Sequence, residues 1–194
     1  ADAVKTLSRI FPVSSVMTFG GEPLLFPKTV CAIHQTAASC GIPARQIITN
    51  GYFSKEERRI REVAQSLKNS GVNNLLLSVD AFHQEKIPLD PVTTFAKSAK
   101  EAGIPKIRLH PAWLVNRAHK NPYNEKTEKI LAAFHSLDIP VSHGNDIFPA
   151  GNAIKYLSVY YPPADPDSLG SCGEAPYTEA PTKVTSISIE PNGD

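Results

Sequence analysis

Ser15-Val16-Met17-Thr18-Phe19-Gly20-Gly21-Glu22-Pro23-Leu24-Leu25 sets the architecture of this chain: a short apolar run that ends in two glycines, a carboxylate and a proline. Paired glycines leave the backbone bare, so its N–H and C=O groups can approach a ligand with no Cβ in the way. Pro23 removes one donor and holds φ, which stiffens the corner carrying Glu22. Two readings follow. The corner either holds something polar, or it is a tight strand-to-helix turn with a solvated glutamate.

The neighbouring sequence turns this corner into the first of a series. Val4, Leu7 and Ile10 stand at helical spacing, so the chain opens in a helix. After the strand at 15–19, a helix is predicted from Pro27 to Cys40 with Val30, Ile33 and Ala37 inward and Gly41 behind it. A strand follows at 45–49, then a capping box, Ser54-Lys55-Glu56-Glu57, opening a helix that buries Ile60, Val63, Ala64 and Leu67. The run 74–79 reads as a buried parallel strand. Asp90-Pro91 reads as an N-cap and first helical residue, and Val92, Phe95 and Ala99 form the inward face. A fourth strand at 106–110, a loop at 111–120, a helix opened by Asn121-Pro122 and a fifth strand at 139–142 complete the pattern. A Pro-rich connector and an alternating strand at 184–189 end it.

The predicted strands end at Phe19, Thr49, Val79, Leu109 and Val141, about 30 residues apart, which is the length of a strand–helix unit. Repeated units of this kind make a parallel sheet. With no Gly-x-Gly-x-x-Gly fingerprint, the expected fold is α/β: a partial (βα) TIM-like barrel over residues 1–160, followed by a connector and the start of an extension over 161–194. A doubly wound sheet is the alternative.

Composition narrows the function classes. The 194 residues are 41% hydrophobic and 20% charged with a net charge of +1, which offers nothing to nucleic acid or an anionic membrane. No apolar run reaches the roughly 18 residues a membrane span needs. Three widely spaced cysteines, Cys31, Cys40 and Cys172, suit a reducing, cytoplasmic compartment better than a disulfide framework.

In a barrel the working face lies at the carboxyl ends of the strands. Read there, the sequence presents Glu22, Thr49 and Asn50, Ser78 and Asp80, Arg108 and His110, then Ser142, His143 and Asn145. Each has an ordinary explanation: Thr49-Asn50-Gly51 is a sound turn, Asp80 caps a loop, His110 is a satisfied core histidine. Together they put donors, acceptors and one cation on a single rim. His110 and His143 with Asp80 or Glu22 offer a weak divalent-metal set, and thus a metal-dependent hydrolase or isomerase as an alternative. His34, His83, His119 and His135 are expected at the surface, and Cys31 and Cys40 as small packing residues.

The segment Phe19-Gly20-Gly21-Glu22-Pro23-Leu24-Leu25 resembles the Gly-Gly-Glu-Pro motif of radical S-adenosylmethionine enzymes. Ile48-Thr49-Asn50-Gly51 and Leu77-Ser78-Val79-Asp80-Ala81-Phe82 are similar to that family's next two strand ends, in order and spacing. Residues 148–153 and 186–193 resemble a post-barrel segment and the start of an extension that carries auxiliary clusters. The resemblance implies S-adenosylmethionine as cofactor, with its amino group at Gly20, Gly21, Glu22 and Pro23 and its carboxylate at Thr49, Asn50 or Arg108. It assigns the ribose hydroxyls to Ser78 and Asp80. It also implies a 4Fe–4S cluster, an electron donor, a small-molecule or peptide substrate, and reductive formation of a 5′-deoxyadenosyl radical that abstracts hydrogen. The family's Cys-x3-Cys-x2-Cys loop is not in this sequence. Its ligands are therefore expected upstream of residue 1, with Cys172 a weak auxiliary candidate, and this chain is expected to be inactive by itself. A barrel lacking its first strand is open on that side and is expected to self-associate through the free edge. A barrel that binds a ligand without turnover is the third reading.

Overall fold

The computed structural model describes residues 1–162 and 185–189. The chain divides between Tyr160 and Tyr161 into two units, which are treated separately. The first is α/β, with parallel strands and helices alternating: α1 (Asp2–Ile10), β1 (Ser15–Thr18), α2 (Pro27–Ser39), β2 (Ala44–Thr49), α3 (Glu57–Asn69), β3 (Asn74–Leu77), α4 (Leu89–Glu101), β4 (Lys106–Leu109), β5 (Ala112–Leu114), α5 (Pro122–Ala132), β6 (Asn145–Ile147) and α6 (Asn152–Leu157).

Strands β1 to β4 form one parallel sheet in the order of the sequence. Ile47, Leu75 and Ile107 stand in one row across it, and Thr49, Leu77 and Leu109 in the next. Because side chains alternate, these rows share one face. On that face they join Val30 of α2, Ile60, Val63 and Leu67 of α3, and Val92, Phe95 and Ala99 of α4 in a single core. Right-handed crossovers between neighbours in sequence place successive helices on the same side, and α2, α3 and α4 do pack in succession. The other face carries a polar ladder. Asn74 Nδ2 donates to Gln46 Oε1 (2.6 Å), and Arg108 Nη2 donates to Asn74 Oδ1 (3.1 Å).

Several local expectations are corrected. The inward face of α2 is Val30, His34 and Ala37, while Ile33 is only half-buried. His34 takes the inner position because its Nε2 reaches Thr18 Oγ1 on β1 at 3.0 Å. Cys40 is exposed, although Cys31 does pack against the core. The Ser54 hydroxyl accepts from Glu56 N two residues on, so α3 begins at Glu57 without a side-chain cap. Helix α4 starts earlier than Asp90, with Pro88 as its N-cap. Asn121 caps α5 as expected, accepting from Asn124 N.

The expected fifth strand reduces to one bridge, Leu109 to Val141. Pro140 cannot donate to a ladder, and Pro111 interrupts the partner strand in the same way. Pairing resumes past both prolines, where β5, inside the stretch read as loop, and β6 form a separate two-stranded parallel sheet. Gly144 makes that bend: its φ is +82°, and a Cβ there would lie 2.3 Å from the Pro111 carbonyl oxygen. The alternating run at 185–189 is not in a strand, and Val184 lies outside the described residues. Among the described residues β1 pairs only with β2, so its other edge is open. No helix among the described residues is long and apolar enough to cross a membrane.

Candidate functional site

The Gly-Gly corner follows β1 directly. Gly20 and Gly21 have φ of +86° and +50°, in the left-handed region that glycine adopts without strain. A Cβ built on either would meet nothing within 4 Å, so both stand beside open space. Their exposed backbone is the part of the corner available to a ligand.

Glu22 is not free in the same sense. Its Oε1 accepts from Leu24 N (2.9 Å) and from Thr49 Oγ1 (2.6 Å), and its Oε2 accepts from Asn50 N (2.8 Å). One carboxylate thereby fastens the end of β1 to the end of β2. Thr49 is 2% exposed, and its hydroxyl also accepts from Gly51 N. Asn50 Oδ1 closes the same turn on Tyr52 N. Burial pushes the Glu22 carboxyl above its ordinary range, against the pull of these three donors.

A second carboxylate does the same work at the next strand end. Asp80 is fully buried. Its Oδ1 accepts from Phe82 N and His83 N, and its Oδ2 from Ala112 N (3.0 Å) and His83 Nδ1 (2.7 Å). Burial alone would raise its pKa, but the hydrogen bond and charge of His83 win and hold it below the usual range. The ribose role that the resemblance assigns to Asp80 therefore meets a carboxylate already enclosed by four donors.

Between the two anchors, the face opposite the helices presents a row of polar groups. Ser78 N donates to Thr49 O, His110 N to Leu77 O and Ser142 N to Leu109 O, so Asn50, Ser78, His110 and Ser142 stand side by side on successive strand ends. His110 Nδ1 lies 2.8 Å from Ser142 Oγ, and burial lowers its pKa. Ser78 is 8% exposed. These are the expected rim residues that do come together. Arg108 does not join them. Its head turns to Asn74 at the amino end of β3, and its buried Nε has no partner among the described residues. His143 is exposed and its carbonyl accepts from Trp113 Nε1, whereas the Asn145 side chain, at the start of β6, joins the rim by a hydrogen bond to His110 that opposes the effect of burial on that ring.

Of the histidines expected at the surface, His34 is buried and His83 is half-buried. His34 is fully buried with Nδ1 unpartnered, and burial, with a smaller contribution from the Arg45 charge, lowers its pKa to about 4. His83 is part-buried on Asp80, whose hydrogen bond raises its pKa, helped by the charges of Asp80 and Glu22. The Asp80-x-x-His83 spacing directly after a strand was a visible signal for this pair, since a carboxylate three residues ahead of a histidine closes one tight turn.

The donor set does not fit an iron–sulfur cluster, which thiolates hold. Cys31 lies within α2 and Cys40 ends it, and Cys172 lies outside the described residues. Among the described residues no three His, Cys, Asp or Glu side chains are grouped to hold a metal ion. At Gly20 and Gly21 the peptide groups have open space beside them and no side chain in the way. No protein-family model matches the chain, and no curated protein matches it either.

Proposed function

We propose that this chain is the core of a radical S-adenosylmethionine enzyme, a partial (βα) barrel open at the β1 edge, and that its rim binds S-adenosylmethionine. The observation that carries the reading is the bare, open Gly20–Gly21 backbone at the carboxyl end of the first strand of a sequentially ordered parallel sheet. Sequential order also argues against the doubly wound alternative, whose binding crevice needs a reversal in strand order. In this reading the backbone carbonyls around Gly20 and Gly21 receive the ammonium group, and Asn50 and Ser78 face the remainder of the ligand. Glu22 and Asp80 position these groups by fastening strand ends to one another. In the family this chain resembles, S-adenosylmethionine cleaved by one electron from a cluster would supply a radical for hydrogen abstraction. The role proposed for the described residues is to bind and orient the ligand.

Nuclear magnetic resonance titration with S-adenosylmethionine tests the binding step on this chain alone. Shifts are expected at Gly20, Gly21, Asn50 and Ser78, with the helix faces α2 to α4 unmoved. No shifts at ligand concentrations of about 1 mM, the weak end of measurable affinity, would refute the reading.

A further inference from the structure

Resting on the S-adenosylmethionine reading, we propose that His83 is the group on this rim that receives the ligand's α-carboxylate. A zwitterionic amino-acid end needs a cation within reach of the backbone that holds its ammonium. Arg108, the residue expected in that role, is directed to Asn74 at the other end of the strands. Other basic side chains nearby in sequence are engaged elsewhere. Lys86 pairs with Glu85 at 3.4 Å, and Arg117 lies on the Trp113 ring and against Glu128.

His83 meets the requirement in three ways. Its Nδ1 is fixed 2.7 Å from Asp80 Oδ2, and Asp80 is itself held by three backbone donors, so the ring is oriented by a rigid anchor. The opposite nitrogen, Nε2, has no protein partner among the described residues, and the side chain is 37% exposed. Ser78, two residues ahead of Asp80, donates its N–H to Thr49 O, and the Thr49 hydroxyl donates to Glu22, so the ring and the glycine corner stand on successive strand ends. Asp80 and Glu22 are the charged groups that act on the ring, while Glu85 and Lys86 of its own turn neutralise each other. Both carboxylates favour the imidazolium, whose Nε2–H then donates a charge-assisted hydrogen bond to an incoming carboxylate.

Calorimetric titration with S-adenosylmethionine, for the wild type and His83→Gln, decides the matter. Glutamine keeps an N–H for Asp80 and removes the charge. Wild-type affinity should exceed that of the variant roughly tenfold at about pH 6, and the difference should vanish at about pH 9, where imidazole is neutral. The ligand's own amino group titrates at about 7.7–8.0, but equally in both proteins. A His83→Lys variant should retain the higher affinity at both pH values. Equal affinity of wild type and His83→Gln at low pH overturns the role of His83 and leaves the S-adenosylmethionine reading standing. No binding by any of the three proteins overturns both. Unchanged thermal unfolding of the variants shows that a lost affinity is not a lost fold.

Discussion

Replacing Glu22 with alanine strips an acceptor from three donors at once: Leu24 N, Thr49 Oγ1 and Asn50 N. The resemblance implies that this carboxylate meets a ligand's ammonium group; the geometry gives it a structural role as well. Leu24 and Thr49 are 1% and 2% exposed, so their freed donors cannot all turn to water. A hydrogen bond to a charged acceptor is worth about 1.5–3 kcal/mol, but the three share one carboxylate and are not additive. The raised pKa shows that burial already taxes the charge, so the low end applies. The expected loss is roughly 3 kcal/mol, or about 6–12 °C in Tm for a chain of this size. Urea unfolding measures it directly, and a cycle with Thr49→Ala apportions it: a coupling of about 1–2 kcal/mol is expected between residues that share a hydrogen bond. A loss below about 0.5 kcal/mol, the range of ordinary surface substitutions, would refute the anchoring role.

Other expectations follow from the same geometry. The folded-state pKa of His34, about 4, lies below its unfolded value of 6.5, so the neutral ring stabilises the fold fully above about pH 6.5 and that stability is lost as pH falls through 4. The shift corresponds to about 3 kcal/mol, and denaturant titrations of His34→Leu should lack this part of the acid slope; parallel slopes would remove His34 from the account. Gly144→Ala would set a Cβ 2.3 Å from the Pro111 carbonyl and 2.9 Å from Trp113 Nε1 at a φ of +82°. It should cost at least about 2 kcal/mol and perturb Trp113 fluorescence, whereas wild-type stability would contradict the bend at β6. Asp80→Asn loses the charge that raises the His83 pKa, so the His83 titration measured by nuclear magnetic resonance should move down; an unmoved titration would dissolve the pair.

The parallel α/β character and the sequential strand–helix units were legible in the chain because each unit carries its own signal. Continuous apolar runs such as Leu75-Leu76-Leu77 and helix faces such as Ile60, Val63, Ala64 and Leu67 are local patterns, and their buried positions follow from periodicity. Gly20 and Gly21 likewise marked a corner with a bare backbone, and the structure adds that both have positive φ. Which polar groups remain available was settled by tertiary structure. Glu22 and Arg108 are chemically suited to a ligand, but they are taken by residues 27 to 34 positions away, which no local pattern reports. Conversely, His34 read as a surface residue until the strand it bonds was folded against it. A sequence specifies which chemistry each residue carries; only packing determines which of those groups are spent on one another and which are left facing the rim.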